Sequence, residues 1–234
     1  MVRLPAFVAL AWAAGASSLP SVEEIVEKLR AADMVRAEQL ETHTAVRRYE
    51  LFNHRFHKRA QIKARVTYWR PGEKIFEVIS EEGPRVICDR VLRRAMDAEA
   101  AASRGANRER ARIDLANYNL RVLGTETAGD LTYYVLELEL KSRSPYLIRG
   151  KAWVEASEWA IARVEGVLAR KPSIWVGTPV IQQTYRKIGL FWLPEKNVST
   201  TDAPLFGKTD LLIESSGYEI RPGLESREVA RASH

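Results

Sequence analysis

The sequence has a single cysteine, Cys88, among 234 residues, so it cannot form an internal disulfide. An exported protein of this kind must be held together by its hydrophobic core alone. The neighbours of Cys88 in RVICDRV are largely apolar, which favours a buried structural thiol over a nucleophile. Histidine is scarce as well, with four in the chain, so few bases could activate that thiol.

Familiar catalytic motifs are also missing. The sequence contains no P-loop, HExxH, GxSxG or paired-cysteine metal motif. His54 and His57 are three residues apart, but on a strand they would point to opposite faces, so they do not predict a metal site. Glu137 and Glu139 share a strand face, and their alternation with leucines marks that face as solvent-exposed. We therefore expect neither an enzyme nor a bound cofactor.

The longest apolar run lies at the start of the sequence. A short basic lead ending at Arg3 precedes the apolar residues 4–14, and the small residues Ala14-Gly15-Ala16 follow. This run is shorter than the roughly 20 residues that a membrane-spanning helix needs. We predict a signal peptide over residues 1–16, cleaved on export to the periplasm, and one domain over residues 17–234. An uncleaved anchor is the alternative.

A change of hydrophobic period divides the rest of the chain. Ser21 and Glu24 form a capping box, and apolar residues then recur at helical spacing to about Val35. From Thr44 the residues alternate, which predicts strands separated by turns. In the second strand Ile62 and its alternate neighbours form a dry face opposite a mostly wet one. The predicted strands are HTAVRRYELFN, QIKARVTYWR, IFEVISE, YNLRVLGTE, DLTYYVLELELK, YLIRGKAWVE, WAIARVEGVLA, PVIQQTYRKI, EKNVSTTDA and KTDLLIESSGYEI.

Residues Asp89 to about Arg112 interrupt these strands with a segment rich in Ala, Arg and Glu, which predicts helix. Its narrow apolar face favours a helical excursion between the strands that lies over one open end of the sheet. Evenly spaced strands with short turns predict an antiparallel meander, because parallel strands need long crossovers. The fold class is therefore α+β. The apolar face of the excursion consists of Val91, Leu92, Ala95 and Met96, with Glu99 beside them.

The segment YLIRGKAWVEASEWAIARVEG predicts a β-hairpin with Ala156-Ser157-Glu158 as its loop. The register that pairs Ala152 with Ala162 collects small apolar residues on one face. Trp153, Trp159, Ile161 and an Arg149–Glu165 pair share the other face, where the tryptophans are packing anchors or ligand contacts. The small face leaves room for the helix after Ser21, packed as ordinary core, or for a ligand chain. That face consists of Ile148, Gly150, Ala152, Val154, Ala160, Ala162, Val164 and Gly166.

Basic residues are concentrated in one stretch. Nine basic and two acidic residues lie between Arg47 and Lys74, a net charge of +7 against +6 for the whole chain. Solvated strand faces explain such a run, and a functional patch would attract anionic lipid headgroups or an acidic protein surface. Nucleic acid is set aside because an exported protein seldom meets it. The candidate membrane or partner patch consists of Arg47, Arg48, Arg55, Lys58, Arg59, Lys63 and Arg65.

The region from about Tyr118 to Tyr218 resembles the lipoprotein-sorting proteins of bacterial envelopes, the Lol-type carrier family, in an outer-membrane lipoprotein-sorting branch. The resemblance follows the order of YNLRVLG, YYVLELELK, the hairpin segment, KPSIW, YRKIGLFWLP and FGKTDLLIE. It implies a strongly curved, open antiparallel sheet, an unclosed half-barrel, with helices covering the concave face. The helical excursion after Asp89 departs from the compact carrier pattern.

The resemblance also implies a function. Family members shield acyl chains of lipoproteins in an apolar cavity, receive them from an inner-membrane release complex and pass them to an outer-membrane receptor. Relatives of the same fold act instead as envelope sensors that bind a membrane-anchored regulator. We expect a monomer that binds lipid or lipoprotein acyl chains and no nucleic acid. The candidate cavity residues are Leu136, Leu138, Ile148, Ala152, Val154, Ala162 and Val164.

Overall fold

The computed structural model describes residues 19–142, 144–169, 177–205 and 207–223, so the predicted signal peptide lies outside the described residues. Within these ranges we find no helix with the length and apolar content to cross a membrane. The elements are α1 Val22–Gln39, β1 Leu40–Asn53, β2 Lys58–Trp69, β3 Glu73–Glu82, α2 Arg85–Ile87, a π-helical turn Cys88–Leu92, α3 Arg93–Ala102, α4 Gly105–Arg110, β4 Tyr118–Ala128, β5 Leu131–Leu140, β6 Ile148–Glu155, β7 Ala160–Leu168, β8 Val180–Ile188, β9 Phe191–Ala203 and β10 Gly207–Pro222.

All ten predicted strands form one antiparallel sheet in the order β3-β2-β1-β10-β9-β8-β7-β6-β5-β4. In the described part of the chain β3 and β4 are the two edges and do not pair with each other, so the sheet stays open. The first and last strands are neighbours in the interior of the sheet, where β1 is the third strand from one edge and pairs with β10. The predicted α+β fold with an unclosed half-barrel is confirmed.

Helices cover one face of the sheet, which we call the inner face. At the N-terminus of α1 the Ser21 hydroxyl accepts a hydrogen bond of 3.1 Å from the Glu24 amide, as the capping box predicts. Ile25 and Leu29 of α1 are buried against the strands of the C-terminal half. We call this cluster the α1 lobe. Its buried members are Ile25, Leu29, Tyr118, Leu136, Leu138, Leu147, Ala152, Val154 and Val164.

The predicted helical excursion is confirmed, although it begins at Arg85, directly after Pro84, rather than at Asp89. It packs on the inner face of β1 and β2, where the predicted dry face of β2 is buried. Cys88 is fully buried there, in agreement with a structural thiol. We call this cluster the insertion lobe. Its buried members are Tyr49, Leu51, Ala60, Ile62, Ala64, Cys88, Leu92 and Met96.

The register of the β6–β7 hairpin differs from the prediction. Ala152 lies opposite Val164 rather than Ala162, a shift of two residues. An even shift keeps the same side chains on the same face, so the small apolar face survives as far as Trp153. Beyond Trp153 the pairing slips by one residue, which makes Ala162 the extra residue of a β-bulge, and Val154 lies opposite Ile161.

The loop of this hairpin is a turn of four residues, Ala156–Trp159, rather than the predicted three. The buried Glu155 carboxylate fixes it by accepting hydrogen bonds from the amides of Ser157 at 3.1 Å and Glu158 at 2.7 Å. Trp159 closes the turn with a φ of 52°, a left-handed conformation that is uncommon for a residue with a side chain.

Candidate functional site: the inner face beneath α1

The structure brings most of the predicted cavity residues together. Leu136, Leu138, Ala152, Val154 and Val164 are all buried in the α1 lobe, and the partly buried Ile148 packs against them. The lobe is closed from above by Ile25 and Leu29 of α1. The helix after Ser21 therefore occupies the small apolar face, which is one of the two occupants that the sequence predicts.

Ala162 is a correction to this set. It is buried, but it is the bulged residue of β7 and does not belong to the described α1 cluster. Ile161 takes its place on the inner side, where it packs against the cluster, although the sequence assigns it to the opposite face. The reason is the one-residue slip after Trp153, which alternation alone does not reveal.

The prediction that Trp153 and Trp159 share a face is wrong. The Trp153 indole lies on the outer face, donates a hydrogen bond of 2.8 Å to Glu126 and has the Arg163 guanidinium 4.2 Å from its ring centroid. Trp159 instead packs against the α1 lobe and stacks on Tyr134 at 5.4 Å. The bulge between the two residues separates them, so they do not form a joint lipid-facing surface.

The predicted Arg149–Glu165 pair is also wrong, because Glu165 lies opposite Lys151 in the shifted register. Its carboxylate accepts hydrogen bonds from Arg163 and, at 2.6 Å, from Gln182. These contacts lie on the outer face and leave the inner lining unchanged.

The glycines of the hairpin allow the backbones of β6 and β7 to approach closely, which explains them without a ligand. Gly150 and Gly166 lie opposite each other, and a Cβ on Gly150 would come within 2.0 Å of the Glu165 carbonyl oxygen. Gly166 adopts a φ of 156°, which favours glycine. Close approach of β6 and β7 therefore explains both residues.

Few side chains attach α1 to the sheet. Ile25 and Leu29 are its buried residues, whereas Met34 and Val35 near its end are exposed. At that end the Arg36 guanidinium donates hydrogen bonds of 2.9 Å to the carbonyl oxygens of Glu158 and of Trp159 in the hairpin turn. Lys28 also lies 4.5 Å from the Trp159 ring centroid, and Arg70 donates a hydrogen bond of 3.0 Å to the Glu38 carbonyl oxygen. Helix α1 is thus held by two buried apolar side chains and a small number of polar contacts.

A cavity of about 160 Å³ lies beneath α1. Its floor is apolar, its rim carries charged residues of both signs, and the Tyr185 ring lies at its side. A water molecule occupies about 30 Å³ of liquid, so this space holds a few waters or a short stretch of an apolar chain. A longer chain would have to displace α1. The lining residues are Val26, Leu29, Arg30, Asp33, Ala111, Arg112, Ile113, Asp114, Ile161, Val164 and Tyr185.

Arg47 is a correction to the predicted basic patch, because it is buried in the insertion lobe with 3% of its surface exposed. Its guanidinium donates hydrogen bonds to Glu99 of α3 and, at 2.9 Å, to Ser215 of β10. Lys74 also reaches Glu99, at 2.7 Å, and the Tyr49 hydroxyl donates to the same carboxylate at 3.1 Å. Arg47 therefore attaches α3 to the sheet and is not available to a membrane.

Burial opposes ionisation of Glu99, yet Lys74 and Arg47 lower the pKa of this carboxyl to about 2. The same burial, with Lys74 and Arg47 nearby, lowers the pKa of His43 to about 4. The Nδ1 atom of His43 is buried without a hydrogen-bond partner, as a neutral ring permits. Two cations and one carboxylate thus make a largely buried cluster that carries net positive charge.

The other predicted patch residues lie on the outer face of β1 and β2 or in the turn between these strands, except Lys58, which begins β2 on the face of Ala60. Acidic partners neutralise part of the patch: Arg48 pairs with Glu214 and Arg59 with Glu50. In the turn Arg55 donates to two carbonyl oxygens at 3.3 Å. Arg65 pairs with Glu77 at 3.8 Å, and Lys58 and Lys63 are exposed.

The histidine pair of the sequence does not form a joint site. His54 bonds to Asp210 at 2.7 Å, while His57 lies in the β1–β2 turn with a φ of 50°. Across the described ranges we find no cluster of three or more potential metal ligands.

The structure is similar to several solved structures at low sequence identity. It resembles the LolA superfamily protein NE2245 from Nitrosomonas europaea, with 16% identity and a TM-score of 0.44 over 89% of this chain and 97% of that chain. A putative outer membrane lipoprotein-sorting protein domain from Vibrio parahaemolyticus gives 13% and 0.49 over 91% and 99%. The MucA/MucB complex of Pseudomonas aeruginosa gives 7% and 0.28 over 88% and 96%.

The first two of these neighbours agree with the resemblance read from the sequence. No protein-family model and no curated protein matches the chain. At these TM-scores the similarities carry no argument about what the protein binds, so a function has to rest on the site itself.

Proposed function

We propose that this protein is an exported, periplasmic lipid- or lipoprotein-binding protein that shields acyl chains on the inner face of its sheet during sorting to the outer membrane. The observation that carries the proposal is the attachment of α1 by few contacts over an apolar floor, with a cavity at one side of this floor that Val164 and Ile161 line. A chain that enters the cavity extends by displacing Ile25 and Leu29. Helix α1 is then a lid, and the residues it uncovers form the site.

The replacement of α1 by an acyl chain should change the free energy of the protein little. Each methylene removed from water contributes about 0.8 kcal/mol, so a chain that contacts the floor replaces the burial that α1 gives up. A helix held by few contacts opens at modest cost. The floor beneath α1 supplies Leu136, Leu138, Ala152, Val154 and Val164 to the chain.

The outer-face basic residues would support the transfer steps. Arg48, Lys63 and Arg65 remain accessible on the outer face of one half of the molecule, away from the α1 lobe. They would contact an anionic membrane surface, or the acidic surface of an inner-membrane release complex or an outer-membrane receptor. Salt above about 0.3 M should weaken this contact while leaving chain binding in the apolar lobe largely unchanged.

Binding of a fluorescent fatty-acyl probe to the purified protein tests the proposal. We expect saturable binding that Val26→Trp reduces at least tenfold, because the larger side chain fills the cavity from α1. Ala31→Trp is the matched control: it adds the same ring to an exposed position of the same helix and should leave binding unchanged. Absence of saturable binding to the folded protein would refute the proposal.

A second function, binding of a membrane-anchored partner as an envelope sensor, is favoured by the edge strand β3. Ile75, Val78 and Ile79 are exposed on β3, which pairs on one side only within the described sheet. An unpaired strand with apolar side chains is a template for strand addition.

Capture from an envelope extract distinguishes the two functions. A carrier retains lipoproteins, whereas a sensor retains one membrane protein in stoichiometric amount. Ile75→Lys with Ile79→Lys should abolish capture by a sensor and spare capture by a carrier. Leu123→Lys, on the exposed face of the opposite edge β4, is the control and should affect neither.

A further inference from the structure

One row of side chains crosses the inner face from β5 to β2 and is polar in its middle. In the α1 lobe the row is apolar, on β8 and β9 it becomes polar, and in the insertion lobe it is apolar again. The row consists of Leu136, Ala152, Val164, Gln183, Asn197, Ile213, Tyr49 and Ile62. The two lobes of the sheet are therefore separated by polar residues rather than joined into one apolar surface.

We call these residues the polar seam: Gln183 on β8, Asn197 and Ser199 on β9, and Ser215 on β10. In the neighbouring row Ser199 lies between Ile181 of β8 and Leu211 of β10, so the seam continues there as a single polar residue. The Asn197 side-chain amide donates a hydrogen bond of 2.9 Å to the side-chain carbonyl of Gln183. Ser215 accepts from Arg47 at 2.9 Å, which connects the seam to the buried charges of the insertion lobe.

Water reaches the seam, although the apolar residues on its α1 side are buried. Gln183, Asn197 and Ser199 are half-buried, whereas Val164 beside Gln183 is buried. Tyr185 lies between the lobes: burial raises the pKa of its hydroxyl to about 12, and Asp33 of α1 and Glu99 of α3 both contribute. The same tyrosine lines the cavity beneath α1. The cavity thus lies next to the seam.

We propose that the polar seam ends the apolar path beneath α1 and so determines the longest acyl segment that the protein shelters. This inference rests on the proposed function and concerns its specificity. A chain that crosses the seam would cover amide and hydroxyl groups that an alkyl chain cannot hydrogen-bond, and such groups are costly to remove from water. Methylenes beyond the seam stay in water and add no affinity.

A chain-length series tests the seam. Saturated fatty acids of 8 to 18 carbons are made to displace the fluorescent acyl probe from the full-length protein. Affinity should rise about fourfold per methylene, the equivalent of about 0.8 kcal/mol, until the chain reaches the seam, and should then level off. The break in the series gives the length of the path.

Gln183→Met combined with Asn197→Leu replaces the amide pair by apolar groups of similar size and also removes the hydrogen bond from Gln183 to the Thr184 carbonyl oxygen. We expect the break to move to chains at least two methylenes longer and the longest acids to bind about tenfold more tightly. Ser199→Val is a milder variant that should move the break in the same direction should the double variant fail to fold. Thr184→Val, on the outer face of β8, is the control and should leave the series unchanged.

The outcomes separate the seam from the function beneath it. If the probe does not bind, or if no fatty acid displaces it, the proposed function is refuted and this inference with it. Normal binding with an unchanged break in the folded double variant and in Ser199→Val overturns the seam alone. A longer break in these variants and an unchanged one in Thr184→Val supports it.

Discussion

The two lobes of the inner face are covered by helices that are attached in different ways. Helix α1 rests on apolar contacts of Ile25 and Leu29 and on bonds from Arg36 to backbone carbonyls. Helix α3 is held by Glu99, whose carboxylate binds Arg47 and Lys74 inside the protein. Apolar contacts are non-directional and can be exchanged for a ligand chain. A buried ion pair has no such substitute.

This difference indicates which half of the molecule opens. Separation of α3 from the sheet would break the ion pairs of Glu99 with Arg47 and Lys74, and an acyl chain in place of α3 would cover these cations with hydrocarbon, which costs several kcal/mol. Separation of α1 exposes hydrocarbon that an acyl chain can cover. We infer that the insertion lobe is a fixed support and that the α1 lobe is the site.

The largest effect is expected from Glu99→Ala. Arg47 and Lys74 would then lie buried with no carboxylate, so the free energy of unfolding should fall by about 3–5 kcal/mol. Urea unfolding measures this loss. Asp97→Ala, an exposed position of the same helix, should change it by less than about 0.5 kcal/mol. Similar effects of the two variants would contradict a charge-based attachment of α3.

Acid should weaken the insertion lobe specifically. The pKa of Glu99 is lowered from 4.5 to about 2, so the unfolded chain binds its proton more tightly than the folded protein does. The stability from this group is complete above about pH 4.5 and is lost as the pH falls towards 2, by about 3 kcal/mol. Unfolding free energies measured between pH 5 and 2 should therefore fall less steeply in Glu99→Gln than in the wild type.

His43 adds a separate part of the same pH profile. Its pKa is lowered from 6.5 to about 4, so its contribution is lost as the pH falls from about 6.5 towards 4. His43→Gln should flatten the profile in that window and leave the Glu99 window below pH 4.5 unchanged. If the unfolding free energy has the same slope against pH in the wild type and in both variants, buried charge does not explain the difference between the attachments of α1 and α3.

Leu29→Ala should loosen α1 without loosening the insertion lobe. We expect a loss of about 2–3 kcal/mol, at the low end for such changes, because the site borders a cavity and α1 can settle. Hydrogen exchange should show faster exchange in α1 and unchanged protection in β1 and β2. Leu92→Ala, the counterpart in the insertion lobe, should lower protection of β1 and β2. Faster exchange of both lobes in Leu29→Ala would show that α1 does not open alone.

The smallest effect is expected from Arg36→Ala. It removes two hydrogen bonds from a charged donor at a partly buried position, which should cost about 1–2 kcal/mol. Acyl-probe association should become faster, because the end of α1 is released from the hairpin turn. Glu27→Ala, which removes an exposed charged side chain of the same helix outside the cavity lining, is the control. An unchanged association rate would argue against α1 as the moving element.

The alternation of apolar and polar residues was sufficient to predict the ten strands and most of the residues on the floor of the α1 lobe. Leu136 and Leu138 alternate with glutamates, so their face could be assigned without knowledge of the partner strands. The register of the hairpin could not be predicted from alternation. It depends on the Glu155 carboxylate and on the left-handed backbone of Trp159, and neither gives a periodic pattern in the sequence. The bulge at Ala162 then separated the two tryptophans.

Arg47 was predictable in principle. Alternation along HTAVRRYELFN places it on the same face as Tyr49 and Leu51, and Glu99 follows the apolar face of the excursion. Two opposite charges on two apolar faces indicate a buried pair between them. Counting basic residues along the chain, without regard to the face each one occupies, assigned Arg47 to the surface instead.

The pairing of β1 with β10 has a consequence for how the chain acquires its shape. Glu50 and Leu212 are neighbours in the sheet, yet almost the whole domain lies between them in sequence. Until β10 has formed, β1 therefore has one unpaired edge. Contacts of such high sequence separation slow folding. A chain that leaves the ribosome or a membrane pore from its N-terminus completes its sheet only after nearly all of it has emerged.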